Sequence, residues 1–296
     1  MLFMKHLVDV LIPTYNPNPA HLREALDSLK SQTFSNWKAF IHDDASEVDV
    51  ESMVKPYLMD PRFTFEKSKV RLGIGKNWNA CIGKTYAPSV AFLFQDDFWN
   101  PDYLETAINI FNGNPRAGFI SINHEYRIEG NMKSEIGYKI LREMKHNDLA
   151  GGMHDGKPFL EKWLRNGLWP NMIGEPDFVV MRRTAVEKAG LFNEKMNQLL
   201  DTDYWCRLLS ACDFYFHKED MGFFRVHETA ASEFNRKTGA SAIDRFRMLS
   251  SIANAAPKTL ARTARIAQAK LCGKIGMYCV RHPVGSAKMM RWRLKI

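Results

Sequence analysis

The sequence predicts an α/β fold, a mostly parallel sheet with helices on both faces. Over the first 126 residues short apolar runs alternate with segments of helical spacing, the pattern of parallel strands joined by crossover helices. The first such run, "HLVDVLIP", is nearly continuous in its apolar character, as a strand buried on both faces is. Bulk numbers agree: 296 residues, 45% apolar and 25% charged, suffice for a substantial core. No apolar run approaches the roughly 20 residues of a membrane helix. The N-terminus resembles a signal superficially, but its apolar part is short, holds Asp9 and ends in Pro13, so it reads as a strand.

The elements follow in order. After the strand over 6–13, "NPNPAHLREALDSLKSQ" is helical, with Asn18 as N-cap and Pro19 at the first helical position. Leu22, Ala25, Leu26 and Leu29 then share one face. "WKAFIHDD" (37–44) is a second strand, "VESMVKPYL" a weak helix, "RFTFEKS" a third strand. "KNWNACIGKTY" reads as helix and "SVAFLFQDD" (89–97) as a fourth strand. "PDYLETAINIFN" is a helix with Leu104, Ala107, Ile108 and Phe111 on one face, and "AGFISINHEY" a fifth strand. From Arg127 to Gly156 the pattern weakens, with "GGMHDGKP" as a loop. "FLEKWLRNGLW" is a helix, "DFVVMRR" a strand, "TAVEKAG" a short helix closed by Gly190, and "LLDTDYWCRLLSACD" a strong helix. Two strands, "FYFHKE" and "MGFFRVHE", complete the globular part.

In sheets of this kind ligands sit outside the carboxyl ends of the strands. Three polar clusters fall there: Pro13-Thr14-Tyr15-Asn16, Asp43-Asp44 and Asp96-Asp97. Carboxylates are seldom desolvated without a partner. A hard divalent cation, which prefers oxygen ligands and brings phosphate oxygens and water with it, is one such partner. A solvated turn before "NPD" is the competing reading. The segment "RLGIGKN" lacks the dinucleotide-binding glycine spacing, and no Walker A loop, nucleophile elbow or HExxH is present. Five cysteines without a CxxC indicate neither a disulfide framework nor a zinc site; reduced thiols and a cytoplasmic location are the expectation.

"VDVLIPTYN", "SQTFSNWKAFIHDDAS", "GIGKNWNACI", "FLFQDDFWNPDYLE" and "LLDTDYWCRL" occur in the order seen in family 2 glycosyltransferases. The chain resembles that inverting, GT-A-fold group from about Val8 to His227. The resemblance implies a GT-A domain over 1–230, with 1–126 holding the nucleotide-sugar and 127–230 the acceptor and the catalytic residue, followed by a basic, helical C-terminal extension over 231–296. It implies transfer of a sugar, with inversion, from a UDP-, dTDP- or GDP-linked donor to a hydroxyl of a glycan or polyprenyl-linked glycan in cell-surface polysaccharide synthesis. Mn²⁺ or Mg²⁺ assists.

By the same resemblance Pro13, Thr14, Tyr15 and Asp44 hold the donor nucleotide, Asp44 facing the base ring. Asp97 ligates the metal with His227, and Asp96 reaches the ribose or a metal-bound water. Gln95 stands where the first acid of an Asp-x-Asp would be. Asn77 and Asn79 contact the donor, or else they cap while Trp78 packs. Asp201 is the catalytic base, taking the proton of the acceptor hydroxyl, or the N-cap of its helix, or both. Leu200 replaces the glutamate of the family's "ED" pair, and Asp203 is solvated or paired with Arg207. A catalytically inactive protein that binds nucleotide-sugar or glycan is the alternative these substitutions leave open.

Net charge is +8, and its distribution is uneven. From Arg245 to Ile296 there are 12 Lys and Arg and no Asp or Glu; the first 244 residues hold 29 basic and 33 acidic ones. In "PKTLARTARIAQAKLCGKIGMYCVRH" the residues Leu260, Ala264, Ala267, Leu271, Ile275 and Tyr278 share a face. Such a helix lies on an anionic membrane surface, making the protein peripheral through 257–296, or packs on the domain with its basic face in water. Few aromatic residues in this segment argue against nucleic acid.

Overall fold

A computed structural model describes residues 6–130, 135–196, 198–228 and 240–281. The strands are β1 (Val8–Thr14), β2 (Trp37–Asp43), β3 (Phe63–Lys67), β4 (Ser89–Phe92), β5 (Phe98–Trp99), β6 (Ala117–Ile128), β7 (Gly152–His154), β8 (Val179–Arg182) and β9 (Asp213–Val226). The helices are α1 (Pro19–Lys30), α2 (Val50–Val54), α3 (Ile74–Ile82), α4 (Tyr103–Gly113), α5 (Glu135–Asp148), α6 (Gly156–Arg165), α7 (Arg183–Ala189), α8 (Leu200–Ala211), α9 (Ala240–Ala255) and α10 (Lys258–Arg281).

One sheet runs in the order β3-β2-β1-β4-β8-β6-β9-β5, with β7 on β9. The half from β3 to β4 is parallel. Beyond it the direction alternates: β8 is antiparallel to β4 and β6, β6 parallels β9, and β5 and β7 are antiparallel to β9. The sheet is thus mixed, and the parallel prediction holds for the half from β3 to β4.

The predicted elements form for the reasons the sequence suggests. Every residue of β1 is buried, as a strand covered on both faces must be. The Asn18 side chain accepts the Ala20 N–H at 2.9 Å and caps α1, whose Leu22, Ala25, Leu26 and Leu29 are buried. One core lies under α1, α2 and α4, the other under α3, α6, α7 and α8. Three elements went unread: the helix α5 fills the region where the sequence pattern weakens, β7 falls in the stretch expected as a loop, and β5 is only two residues long. The last two expected strands are one, β9.

The pairing of β5 with β9 positions the site, because β5 begins one residue after Asp97 and β9 ends one residue before His227. Gly222 permits it: a Cβ there would stand 2.1 Å from the Phe98 carbonyl oxygen.

The C-terminal segment is two helices. Met248, Leu249 and Ala253 of α9 and Leu260, Ala264 and Ala267 of α10 join the core that includes Trp163 and Leu164 of α6. The apolar face of α10 therefore packs on the catalytic domain as far as Leu271, while Lys258, Arg262, Lys270 and Lys274 face water. Tyr278 and the residues beyond Arg281 lie outside the described side chains. Among the described residues no helix is long and apolar enough to cross a membrane, and Cys81, Cys206, Cys212 and Cys272 are free thiols.

Candidate active site

A cleft of about 620 Å³ opens at the carboxyl ends of β1 and β4, lined by Tyr15, Asn16, Pro17, Asn18, His21, Gln95, Asp96, Glu129, His227 and Glu228. Asp96 Oδ2 and His227 Nε2 meet there at 2.8 Å. They come from segments 131 residues apart. Gln95 is no vestigial acid: its Oε1 accepts the Tyr15 N–H at 2.8 Å and its Nε2 donates to the Tyr15 carbonyl at 3.2 Å. It clasps the turn after β1 to the turn after β4. The Arg71 guanidinium lies over the Tyr15 ring at 4.1 Å, a cation–π contact.

The structure sends the two adjacent acids in opposite directions. Asp97 is fully buried. Its Oδ1 accepts the Arg225 N–H at 2.7 Å, and its other oxygen faces the carboxyl of Asp177. A hydrogen bond from the Asp97 N–H to the Phe94 carbonyl closes a turn, which sends Asp96 into the cleft and Asp97 inward. Burial, with Asp177 alongside, pushes Asp97 well above the usual carboxylate range; burial does the same to Asp177. Two apposed buried carboxyls cannot both ionise. Asp97 Oδ2 and both Asp177 carboxyl oxygens find no donor, in keeping with a pair that shares a proton. The metal-ligand expectation for Asp97 is thus corrected: Asp96 is the acid within reach of a cation in the cleft.

Four further expectations change in the same way. Pro13 is buried within β1. The Thr14 hydroxyl donates to Asp43 Oδ1 at 3.2 Å inside the protein. Asn77 is buried, with Oδ1 2.6 Å from His42 Nδ1 and Nδ2 donating to the Thr14 carbonyl at 3.4 Å. Asn79 donates to the Phe192 carbonyl and to Glu194, both at 3.0 Å, and accepts the Phe192 N–H at 2.8 Å. These amides hold the fold, and Trp78 between them packs on Phe92, Phe94 and Phe192.

Asp44 sits just behind Tyr15, its own N–H bonded to the Thr14 carbonyl. Its carboxylate accepts the N–H groups of Leu72 and Gly73 at 2.5 and 2.9 Å, which anchors the loop that carries Arg71. Asp44 does not line the cleft described above.

Asp201 does not line that cleft either. It is the second residue of α8, not its cap; Leu199 occupies that position. Asn171 Nδ2 donates to Asp201 Oδ2 at 2.7 Å, and the Thr202 hydroxyl lies 3.3 Å from Oδ1. Burial pushes its carboxyl up to about 7, where the helix N-terminus alone would have kept it low. Asp203 is paired with Arg207 at 2.9 Å.

Two buried acids that sequence reasoning missed, Glu175 and Asp177, interact with those already named. Asp177 feels both Asp96 and Glu175, and Asp201 feels Glu175. Burial would raise the Glu175 carboxyl, but His124, 2.9 Å away, and Lys145 hold it low; the Tyr126 hydroxyl donates to it at 2.9 Å. Burial brings Lys145 itself down to about 8. Arg225, fully buried under the cleft, donates to the Asp96 carbonyl at 2.8 Å and ion-pairs with Glu24 and Glu129. The signals existed: "GEPDF" sets two acids before an apolar strand, and Arg225 stands two residues before His227.

The donor set fits a divalent cation that brings its own ligands. Asp96 and His227 offer one carboxylate and one imidazole in a cleft roomy enough for phosphate oxygens and water. Among the described residues no three His, Cys, Asp or Glu side chains form a ready-made cage.

Fold and cleft together define a GT-A glycosyltransferase. The glycosyl transferase family 2 profile matches residues 9–190, more than half of the chain, which belongs to that family and is a glycosyltransferase. An uncharacterized protein of Mycobacterium tuberculosis is 28% identical over 83% of this chain and 75% of its own length. An uncharacterized glycosyltransferase of Rickettsia typhi is 24% identical over 75% of this chain, which spans 64% of that relative. Among solved structures, S. aureus TarS 1-349 in complex with UDP-GlcNAc superposes with a TM-score of 0.65 at 15% identity, covering 90% of this chain and 71% of that one. The mannosyltransferase PcManGT from Pyrobaculum calidifontis, in complex with GDP-Man and Mn²⁺, gives 0.60 at 14% identity, over 97% and 79%. At such identities the likeness is one of fold.

Proposed function

We propose that the protein transfers a sugar from a nucleotide-diphosphate sugar to a hydroxyl of a glycan or lipid-linked glycan, with inversion at the anomeric carbon. The observation that carries this reading is the Asp96–His227 pair, assembled at the strand ends in the cleft beside Tyr15. The structural neighbours with UDP-GlcNAc and GDP-Man support a nucleotide-sugar donor.

Tyr15, with Arg71 over its ring, takes the nucleoside end of the site, and Asp44 anchors the loop that carries Arg71. Asp96 and His227 hold the diphosphate end, where Mn²⁺ or Mg²⁺ would neutralise charge gathering on the leaving group. Asp201 removes the acceptor proton. The acceptor oxygen bonds to the anomeric carbon from the face opposite the diphosphate. The bond from that carbon to the phosphate oxygen breaks, its electron pair leaves with the diphosphate, and the proton stays on Asp201. Asn171 fixes Asp201 Oδ2, and burial gives the carboxylate the basicity the step needs. The outward basic face of α10 brings the protein to anionic lipid by charge alone, since its apolar face is packed.

A panel of UDP-, dTDP- and GDP-sugars with and without Mn²⁺, read as thermal shift and donor hydrolysis, tests the reading. One nucleotide class raises the Tm only with the metal and is hydrolysed. No shift and no hydrolysis from any of them contradicts it.

A further inference from the structure

The segment between α6 and β8 presents one aromatic ring to solvent two residues before Asn171, the partner of Asp201. Trp37, Trp99, Trp163 and Trp205 are buried, and Trp78 packs partly buried against the core, whereas the Trp169 indole is 54% exposed. Among the described residues it stacks on no other ring and pairs with no cation.

Its surroundings are rigid. Leu168 is buried, and its N–H bonds the Trp163 carbonyl at 3.0 Å. The Trp163 indole N–H donates to the Pro170 carbonyl at 2.6 Å. Asn171 bonds Gly174 in both directions, at 3.0 and 3.1 Å. Gly167 and Leu168 are both left-handed, with φ of 71° and 56°. In a leucine that conformation is costly and is held by its surroundings, as at binding sites. The side chain so displayed belongs to a residue two before Asn171, whose amide holds Asp201. Two residues span at most about 7 Å, the scale of one sugar ring.

We propose that Trp169 is the acceptor platform: its indole stacks on the C–H face of a pyranose ring, leaving a hydroxyl of that ring to Asp201. This deepens, and rests on, the reading of Asp201 as base. A hexopyranose has a flat C–H face and polar edges, and the chain sets an exposed apolar ring two residues from the amide that holds a carboxylate, a combination that suits a sugar. The donor lies against Asp96 and His227. The acceptor is therefore a carbohydrate rather than a peptide or a simple alcohol.

Fluorine NMR on the chain labelled with fluorotryptophan tests this, the signal being assigned with Trp169→Phe. Methyl glucoside, galactoside, mannoside and N-acetylglucosaminide are titrated in, with glycerol as control. At least one pyranoside is expected to move the Trp169 signal while glycerol does not, and that pyranoside accepts sugar from the donor. Trp169→Ala raises its KM about tenfold, and Trp169→Phe recovers most of the loss. If no pyranoside moves the signal, or if Trp169→Ala leaves the KM where it was, the platform is overturned while donor hydrolysis stands. Absence of donor hydrolysis in the unaltered chain overturns both this proposal and the reading beneath it.

Discussion

Asp96 Oδ2 lies 2.8 Å from His227 Nε2, while the adjacent Asp97 is turned into the core against Asp177. The β5–β9 ladder and the Arg225 N–H to Asp97 bond produce both results at once. The two acids should therefore separate cleanly in mutants. Asp96→Asn lowers the apparent Mn²⁺ affinity by more than the roughly 10–100-fold that losing an outer-shell partner costs, with little change in Tm. Asp97→Ala does the reverse, destabilising by about 1–3 kcal/mol as the Arg225 N–H is orphaned, and Asp97→Asn is milder because an amide imitates the protonated carboxyl. Mn²⁺ titrations followed by thermal shift check both.

Asp201 gives activity and stability opposite pH trends. Burial raises its carboxyl to about 7 in the folded chain from an ordinary value of 3.8. The neutral form is thus favoured by folding, so this stabilisation is complete below pH 3.8 and lost as pH rises through about 7. Catalysis needs the ionised form, so kcat/KM should climb over the range near 7 in which this contribution to stability declines. Asp201→Asn removes both dependences. A pH–rate profile beside Tm measured across the same range checks the pair of signs.

Asn79 ties α3 to the loop before α8 with three hydrogen bonds. Asn79→Ala should cost about 1–3 kcal/mol and leave the donor KM within about a factor of two once the protein is folded. A raised KM at unaltered stability would restore the donor contact first expected of this amide.

Lys270 and Lys274 face water on α10. Each lysine near an anionic surface contributes about 1 kcal/mol, so Lys270→Glu with Lys274→Glu should release the protein from phosphatidylserine vesicles and leave its Tm nearly unchanged. If the unaltered chain does not sediment with such vesicles, the membrane part of the proposal fails and α10 is solely a packing helix.

The fold was legible where apolar runs and turn residues are local signals, as in β1, α1 and the strand ends that carry Tyr15, Asp44 and Asp96. The choice of Asp201 as candidate base rests on the order of motifs. What was not legible depends on partners far apart in the chain. Which of two neighbouring acids faces the cleft is decided by a turn at Phe94–Asp97 and by Arg225, 128 residues away. The amides of Asn77 and Asn79 look like ligands for a donor until His42 and Phe192 are seen to use them. The basic tail shows an amphipathic pattern in either setting, and only the position of α6 reveals what covers its apolar side.

The most direct measurement compares donor binding and product formation in Asp201→Asn. With Mn²⁺ and the nucleotide-sugar identified by the panel, the variant should bind donor as tightly as the parent by calorimetry while transfer falls by at least about a hundredfold, the lower end of what a general base supplies. Transfer retained at most of the parental rate would contradict the assignment of the base and, with it, the proposed chemistry.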